Sequence, residues 1–152
     1  MSTTTTMSEL PGLVGKELGT SEWYEVTQEH VNLFADATGD HQWIHVDPER
    51  ATKESPFGGP IAHGYLTLSL LVPLFGGVLR VTDTVMGVNY GLNKVRFPSP
   101  VPVGSKVRLT ATLTGIDDIA GGKQLTFSCV IEREDGDKPV CIAEPVYRYY
   151  GG

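Results

Sequence analysis

The stretch G-D-H-Q-W-I-H-V-D, residues 39–47, has the side chains needed for acid–base chemistry. It places Asp40 five positions before His45, and carboxylates and histidines are the groups most often used to move protons near neutral pH. We expect the apolar neighbours Trp43 and Ile44 to bring the pKa values of both groups toward neutrality, because burial raises the pKa of a carboxyl and lowers that of an imidazole. We therefore predict that Asp40 and His45 form an acid–base pair.

A second feature, G-P-I-A-H-G at residues 59–64, precedes the most apolar segment of the chain. If a helix begins there, its first N–H groups lack partners and carry the positive end of the helix dipole. Gly64 lets a ligand approach this backbone closely. We predict that its N–H stabilises an oxyanion, an effect of about 2.7–4 kcal/mol per donor. His63 is assigned to substrate binding beside it. The alternative is that Gly64 only permits tight packing.

A metal site is a weaker alternative. Five residues have suitable side chains, namely Asp40, His41, His45, Asp47 and His63. Their spacing matches no common zinc pattern, and the HExxH motif is absent, so we predict no metal. The sequence also lacks the GxSxG, GxGxxG and P-loop motifs, which removes the basis for a serine hydrolase, a dinucleotide enzyme or an NTPase.

Composition indicates one globular domain. The chain has 152 residues, of which 40% are hydrophobic and 20% charged. Its net charge of −6 disfavours a nucleic-acid partner, because phosphate binding needs a basic surface. No apolar run approaches the roughly 20 residues of a membrane span, and no secretory signal is evident, so we expect a cytoplasmic protein. Cys129 and Cys141 lack metal-type spacing and are expected to be buried, reduced thiols.

Local signals place the catalytic stretch between two helices. Residues 1–9 are polar and repetitive and are expected to be a disordered tail, with residues 10–152 forming the domain. Thr27 is a good cap for a helix that Gly39 ends. Two residues five apart differ by about 140° on a helix, so the acid–base pair needs a turn to converge. Pro48 opens a second short helix.

The second half of the chain predicts a helix followed by strands. Residues 63–79 lack a polar face, which is typical of a helix buried on all sides, with Pro73 as a kink. Hydrophobic residues then alternate through four segments, and the phase change at Asn93 and Lys94 predicts a bulge. Pro145 indicates an edge or bulge in the last strand. We predict an α+β fold with an antiparallel meander around the helix, and a homodimer that covers the open edge strand.

Residues 34–51 follow the pattern F-x4-G-D-x4-H-x5-A, and the segments G-P-I-A-H-G-Y-L-T-L-S-L-L and N-Y-G-L-N-K-V-R-F come after them. With these motifs, the chain resembles the MaoC-like, (R)-specific enoyl-CoA hydratases of the hydratase 2 group. The resemblance covers nearly the whole chain. It implies a hot-dog fold, in which a curved antiparallel sheet wraps around a long central helix. It also implies reversible addition of water to trans-2-enoyl-CoA, which gives (R)-3-hydroxyacyl-CoA.

The same resemblance assigns residues to roles. It implies that Asp40 and His45 are catalytic and that Gly64 is the oxyanion-hole glycine. The family commonly has Asn-Pro between the two catalytic residues, whereas this chain has Gln42 and Trp43, which we assign to substrate binding. No cofactor is implied, because CoA is part of the substrate.

CoA carries several phosphates, so a net acidic chain needs a local basic patch to bind it. Lys94 and Arg96, beside the predicted bulge, are the best candidates, although both are equally well explained as solvated strand residues. Two other functions stay open. One is an acyl-CoA thioesterase on the same fold, with Asp40 near the thioester. The other is a non-catalytic subunit that binds acyl-CoA or pairs with a catalytic partner.

Overall fold

The structure, a computed structural model, describes residues 1–151. Its strands are β1 (Thr3–Thr5), β2 (Glu17–Thr20), β3 (Tyr24–Glu25), β4 (Leu79–Val81), β5 (Thr84–Arg96), β6 (Lys106–Ile119), β7 (Gly122–Arg133) and β8 (Cys141–Gly151). Its helices are a short 3-10 helix (Met7–Leu13), α1 (Gln28–Thr38), α2 (Trp43–Val46), α3 (Pro48–Glu54), α4 (Gly64–Ser69) and α5 (Leu71–Phe75). The α-helices precede the four long strands, which confirms the predicted α+β class.

The main sheet is antiparallel, in the order β2-β6-β7-β8-β5, and β3 also pairs with β6. Alternate side chains of β6 and β7 are buried, namely Val107, Leu109, Ala111, Leu113, Leu125, Phe127, Cys129 and Ile131. The strand order differs from the simple meander that we predicted, because β5 pairs with β8 rather than with β6. The other side of β6 is occupied by β2 and β3 from the first half of the chain.

The predicted bulge in β5 is confirmed. Leu92 pairs with Pro145 and Val95 with Ala143, so β5 has one extra residue between these pairs. Pro145 does not lie at an edge, because β8 runs between β7 and β5. It lies opposite the start of the bulge, where its missing N–H removes a ladder donor at a point where the pairing is already irregular.

The predicted ends of the first helix are also confirmed. The Thr27 hydroxyl accepts a hydrogen bond from the His30 N–H, which caps the N-terminus of α1. Gly39 ends the helix in the left-handed region, with a φ of 83°. Pro48 is the first residue of α3, as expected. The chain between Gly39 and Pro48 is therefore fixed at both ends by helix termini.

The apolar segment differs from the prediction in two respects. It forms α4 and α5 rather than one continuous helix, and Pro73 explains the break because a proline cannot bond to the carbonyl four residues earlier. One side of these helices is also exposed, with Tyr65 at 71% and Val72 at 54% of full exposure. The opposite side packs on the sheet, where Phe75 meets Phe127 with 4.9 Å between ring centres. No helix within residues 1–151 has the length and apolarity needed to cross a membrane.

The prediction that residues 1–9 are disordered is wrong for the central part of this segment. Residues Thr3–Thr5 form β1, which pairs in parallel with β4. The Thr3 N–H donates to the Val78 carbonyl at 2.8 Å, and the Thr82 N–H donates to the Thr5 carbonyl at 2.9 Å. The polarity of this segment was misleading, because threonine is β-branched and favours strands. Leu10, at 0% exposure, anchors the following 3-10 helix in the core.

Candidate active site

Asp40 directly follows Gly39, the left-handed residue that ends α1, and is exposed. Its Oδ1 accepts a long hydrogen bond of 3.4 Å from the Gln42 N–H, which forms a local turn. The Thr38 hydroxyl accepts an equally long bond from the Asp40 N–H. The Asp40 carboxylate thus remains free to accept protons from a substrate or a water molecule.

His45 lies in the single helical turn of α2, where we predicted a turn between two helices. Its side chain is buried, at 6% exposure. Nδ1 lies 2.7 Å from the Ile61 carbonyl oxygen, which can only accept, so Nδ1 carries the proton. In the neutral ring, Nε2 is then an unprotonated acceptor.

The protonation state of His45 follows from its surroundings. Burial lowers its pKa below the usual 6.5, and the adjacent His63 adds to that effect. The hydrogen bond to Ile61 and the charge of Asp40 act in the opposite direction but do not reverse the shift. His45 is therefore neutral at pH 7 and presents Nε2 as a base or hydrogen-bond acceptor.

His63 precedes α4 and is almost fully buried, at 2% exposure. Its Nε2 donates to the main-chain carbonyl of Asp40 at 2.9 Å. Its ring stacks on the ring of His45, with 3.9 Å between centres and 25° between planes. The predicted acid–base pair is thus brought together, and His63 contacts both members of it.

These groups line one pocket. Its walls are Asp40, His45, His63, Gly64, Tyr65 and Phe97, and its volume is about 210 Å³. A carboxylate oxygen of Asp40 and one ring nitrogen from each histidine lie within 4.8 Å of one another. Gly64 is the first residue of α4, so its N–H has no acceptor within the helix. The pocket can hold a water molecule beside the acid–base pair and a carbonyl oxygen at the helix start.

Among residues 1–151, the side chains of Asp40, His45 and His63 form the one group that is close enough to hold a metal ion. Two of the histidine nitrogens already donate to carbonyls, Nδ1 of His45 and Nε2 of His63. The stacked rings are nearly parallel, so their remaining lone pairs do not converge on one point in the tetrahedral manner of zinc ligands. This geometry disfavours a metal, and the absence of a metal stays a prediction.

The structure does not bring Gln42 and Trp43 into the lining of the pocket. The Gln42 side chain is exposed, and its backbone carbonyl accepts from the His45 N–H at 3.0 Å. The Trp43 ring lies under the guanidinium of Arg50, at 4.3 Å. Gln42 therefore supports the site through its backbone, and Trp43 lies on the outer surface. Neither residue lines the pocket where we predicted that it contacts the substrate.

Lys94 and Arg96 are exposed on β5 and do not line the pocket. The Arg96 Nη1 donates to the carbonyl of Val95 at 2.7 Å. Phe97, which follows Arg96 in the chain, does line the pocket. The two cations therefore lie near one of its walls, and their role in CoA binding stays a prediction.

Two pocket residues were missed from the sequence, Tyr65 and Phe97. A Cβ added to Gly64 would be only 3.1 Å from the Phe97 ring, so the glycine makes room for this aromatic side chain. The two pocket aromatics lie near each other, with 6.3 Å between ring centres. Both residues lie in the segments that carry the family resemblance, Tyr65 in G-P-I-A-H-G-Y-L-T-L-S-L-L and Phe97 at the end of N-Y-G-L-N-K-V-R-F, but neither segment indicates that the two are close in space.

Comparison with known proteins identifies the family. The sequence profile of the MaoC like domain matches residues 9–132. The chain belongs to the MaoC-like family. Two relatives match this MaoC-like chain along most of its length. It is 53% identical over 150 residues to the 3-hydroxyacyl-thioester dehydratase Z of Mycobacterium tuberculosis H37Rv, covering 98% of this chain and 99% of the relative. It is 49% identical over 140 residues to nodulation protein N of Rhizobium leguminosarum bv. viciae, covering 90% and 86%.

Solved structures agree with the fold. The (R)-hydratase from A. caviae involved in PHA biosynthesis superposes with a TM-score of 0.68 at 25% identity, covering 88% of this chain and 94% of that one. The R-hydratase PhaJ1 from Pseudomonas aeruginosa gives a TM-score of 0.72 at 21% identity, covering 91% and 83%. The expected hot-dog fold is therefore confirmed. The MaoC-like chain is a hydratase or dehydratase, a hydro-lyase that adds or removes water.

Proposed function

We propose that this MaoC-like enzyme is an (R)-specific enoyl-CoA hydratase, which converts trans-2-enoyl-CoA and water reversibly into (R)-3-hydroxyacyl-CoA. The observation that carries the proposal is the meeting of the Asp40 carboxylate and the neutral His45 ring in one pocket with Gly64 in its wall. The close relative named as a 3-hydroxyacyl-thioester dehydratase supports the substrate class, and the structural neighbours named as (R)-hydratases support the reaction.

The residues suggest how water is added. The thioester carbonyl accepts a hydrogen bond from the Gly64 N–H, which draws electrons away from the conjugated double bond. A single water molecule donates one hydrogen bond to the Asp40 carboxylate and its second hydrogen bond to Nε2 of His45. Asp40 takes a proton as the water oxygen bonds to C3, and the double-bond electrons form an enolate at the carbonyl oxygen. The protonated pair then delivers the proton to C2 and restores the thioester.

This arrangement also gives stereospecificity. The water is held on one side of the pocket, so its oxygen can reach only one face of C3 and yields a single enantiomer. The (R) assignment rests on the structural neighbours that are named (R)-hydratases. In the dehydration direction the same groups act in reverse order, with the protonated pair assisting the departure of the 3-hydroxyl.

A thioesterase is the alternative on the same fold, and an assay of both products distinguishes the two. We expect purified enzyme to consume the enoyl absorbance of trans-2-butenoyl-CoA without releasing free thiol. Release of CoA thiol at the rate of absorbance loss would identify a thioesterase instead. If the purified chain catalyses neither reaction but binds acyl-CoA measurably, it is a non-catalytic subunit.

The pH profile follows from the low pKa of His45. Protonation of Nε2 removes an acceptor that the water needs, so we expect kcat/KM to be constant at neutral pH and to fall in acid. The acid midpoint reports the protonation of His45. It should lie below 6.5, the ordinary value for histidine, because burial favours the neutral ring. A midpoint above 7 for butenoyl-CoA hydration would contradict this protonation state.

CoA binding at Lys94 and Arg96 is tested by charge reversal. The double variant Lys94→Glu/Arg96→Glu should raise the KM for enoyl-CoA about tenfold and leave kcat unchanged, because each exposed ion pair contributes roughly 0.2–1 kcal/mol and reversal adds repulsion. The double variant Lys16→Glu/Arg80→Glu makes the same change in net charge at exposed positions outside the pocket lining. An equal KM increase in both variants would point to net charge alone.

We propose that the enzyme forms a homodimer through β5. This strand is the edge of the main sheet and exposes Val85, Met86, Val88, Tyr90 and Leu92. An apolar groove of about 250 Å³, lined in part by α4, α5 and β5, lies along the same side. A long, apolar, unpaired edge is unstable as a free surface, and a second copy would cover it.

The dimer is tested by placing a lysine on the edge. Val88→Lys should shift the sedimenting species from the mass of two chains to that of one, because a charge on an edge strand opposes strand pairing. Val14→Lys introduces the same change before β2, at the other end of the sheet, and should remain dimeric. A wild-type chain that sediments as a monomer would overturn the homodimer and favour pairing with a different subunit.

A further inference from the structure

His63 contacts both members of the acid–base pair but is itself almost inaccessible. Its Nε2–H bond to the Asp40 carbonyl and its stacking on His45 occupy one edge and one face of the ring. Phe34 contacts the ring as well, at 4.9 Å between centres. With 2% of its surface exposed, His63 has little freedom to bind a substrate directly. The substrate-binding role that we assigned from the sequence is therefore poorly matched to its position.

The remaining nitrogen of His63 is unusual. Nδ1 is buried and has no hydrogen-bond partner within residues 1–151. An unpaired buried polar atom lowers stability, and a phenylalanine ring of similar shape would fill this space without that cost. Packing alone therefore does not explain a histidine here. Of the two ring nitrogens that phenylalanine lacks, only Nε2 makes a hydrogen bond, as a donor to the Asp40 carbonyl.

Asp40 has few other restraints. Its side chain is exposed, and its two local hydrogen bonds, with Thr38 and Gln42, are both 3.4 Å long. The bond from His63 to its main-chain carbonyl, at 2.9 Å, is the shortest one that holds this residue. It ties the end of α1 to the start of α4, and so places the carboxylate relative to the Gly64 N–H.

We propose that His63 is a positioning residue, which fixes the Asp40 backbone through its Nε2–H and the His45 ring through stacking. This inference rests on the proposed hydratase function. A displacement of about 1 Å in a catalytic group can lower a rate about 100-fold. Because His63 acts on both catalytic groups and not on the thioester, its loss affects the chemical step more than substrate binding.

Two substitutions separate the contacts. His63→Phe keeps an aromatic ring against His45 but removes the donor to Asp40. His63→Gln restores an N–H donor near the Nε2 position but has no ring. We expect His63→Phe to lower kcat 10- to 100-fold, with the KM for butenoyl-CoA within about twofold of the wild-type value. His63→Gln should recover most of the lost kcat. His41→Phe, on an exposed neighbour, should retain wild-type kcat.

Amide hydrogen exchange gives a readout that needs no turnover. Exchange at residues 39–42 should be faster in His63→Phe than in wild type and slow again in His63→Gln. Wild-type exchange in His63→Phe would overturn the inference, as would unchanged kcat in that variant or a KM that rises in parallel with the loss of rate. A wild-type enzyme that hydrates no enoyl-CoA would instead contradict the proposed function, and the exchange result would still decide the role of His63.

Discussion

Asp40→Asn should lower the kcat for butenoyl-CoA hydration about 10²–10⁴-fold, which is the usual contribution of a positioned general base. Asparagine has nearly the same shape, and its Oδ1 can still accept from the Gln42 N–H, so the local turn is retained. Only the proton-accepting carboxylate is lost. Because Asp40 is exposed, the free energy of unfolding should change by no more than about 0.5 kcal/mol.

Asp36→Asn is the matched control for this variant. Asp36 is also exposed, and it pairs with His41 at 3.0 Å on the outside of the molecule. It lies in α1, away from the pocket lining, and its loss should leave kcat unchanged. Initial rates of absorbance loss at saturating substrate measure both variants. Wild-type kcat in Asp40→Asn would remove Asp40 from the mechanism.

His45→Gln should have an effect of similar size on kcat, about 10²–10⁴-fold, because it removes the imidazole that orients the water and shares the proton. Unlike the change at Asp40, it should also lower stability. His45 is buried, and its Nδ1–H satisfies the Ile61 carbonyl. Leaving that carbonyl without a donor costs about 1–3 kcal/mol, which denaturant unfolding can measure.

His45→Asn separates these two effects. The shorter amide places an N–H near the position of Nδ1 and can keep the bond to Ile61, but it has no counterpart of Nε2. We expect His45→Asn to be more stable than His45→Gln and equally inactive. If His45→Asn retained wild-type kcat, Nε2 would have no role in the reaction.

The sequence was most informative where a local rule decides the structure. Thr27 and Gly39 predicted both ends of α1, because capping and a left-handed terminus depend on a few neighbouring residues. The alternation along β6 and β7 predicted their buried face, and the phase change in β5 predicted its bulge. The end of α1 at Gly39 also placed Asp40 just past a helix terminus, where a turn can bring it toward His45.

The sequence was least informative where distant residues meet. Phe97 lies against Gly64, and His63 bonds to Asp40, but no local pattern links these positions. The pairing of β1 with β4 likewise depends on residues more than 70 positions apart. The exposed side of α4 and α5 was missed for a different reason. A segment without a polar face predicts burial, but it does not show whether this chain or a second copy covers that side.

We propose that the pocket adds water to one face of an enoyl thioester. The most direct test incubates the purified enzyme with trans-2-butenoyl-CoA, follows the enoyl absorbance and free thiol together, and separates the enantiomers of the product. We expect absorbance to fall to an equilibrium value without thiol release, with (R)-3-hydroxybutanoyl-CoA as the product. Formation of the (S) enantiomer, a racemic mixture, or thiol release in place of hydration would contradict it.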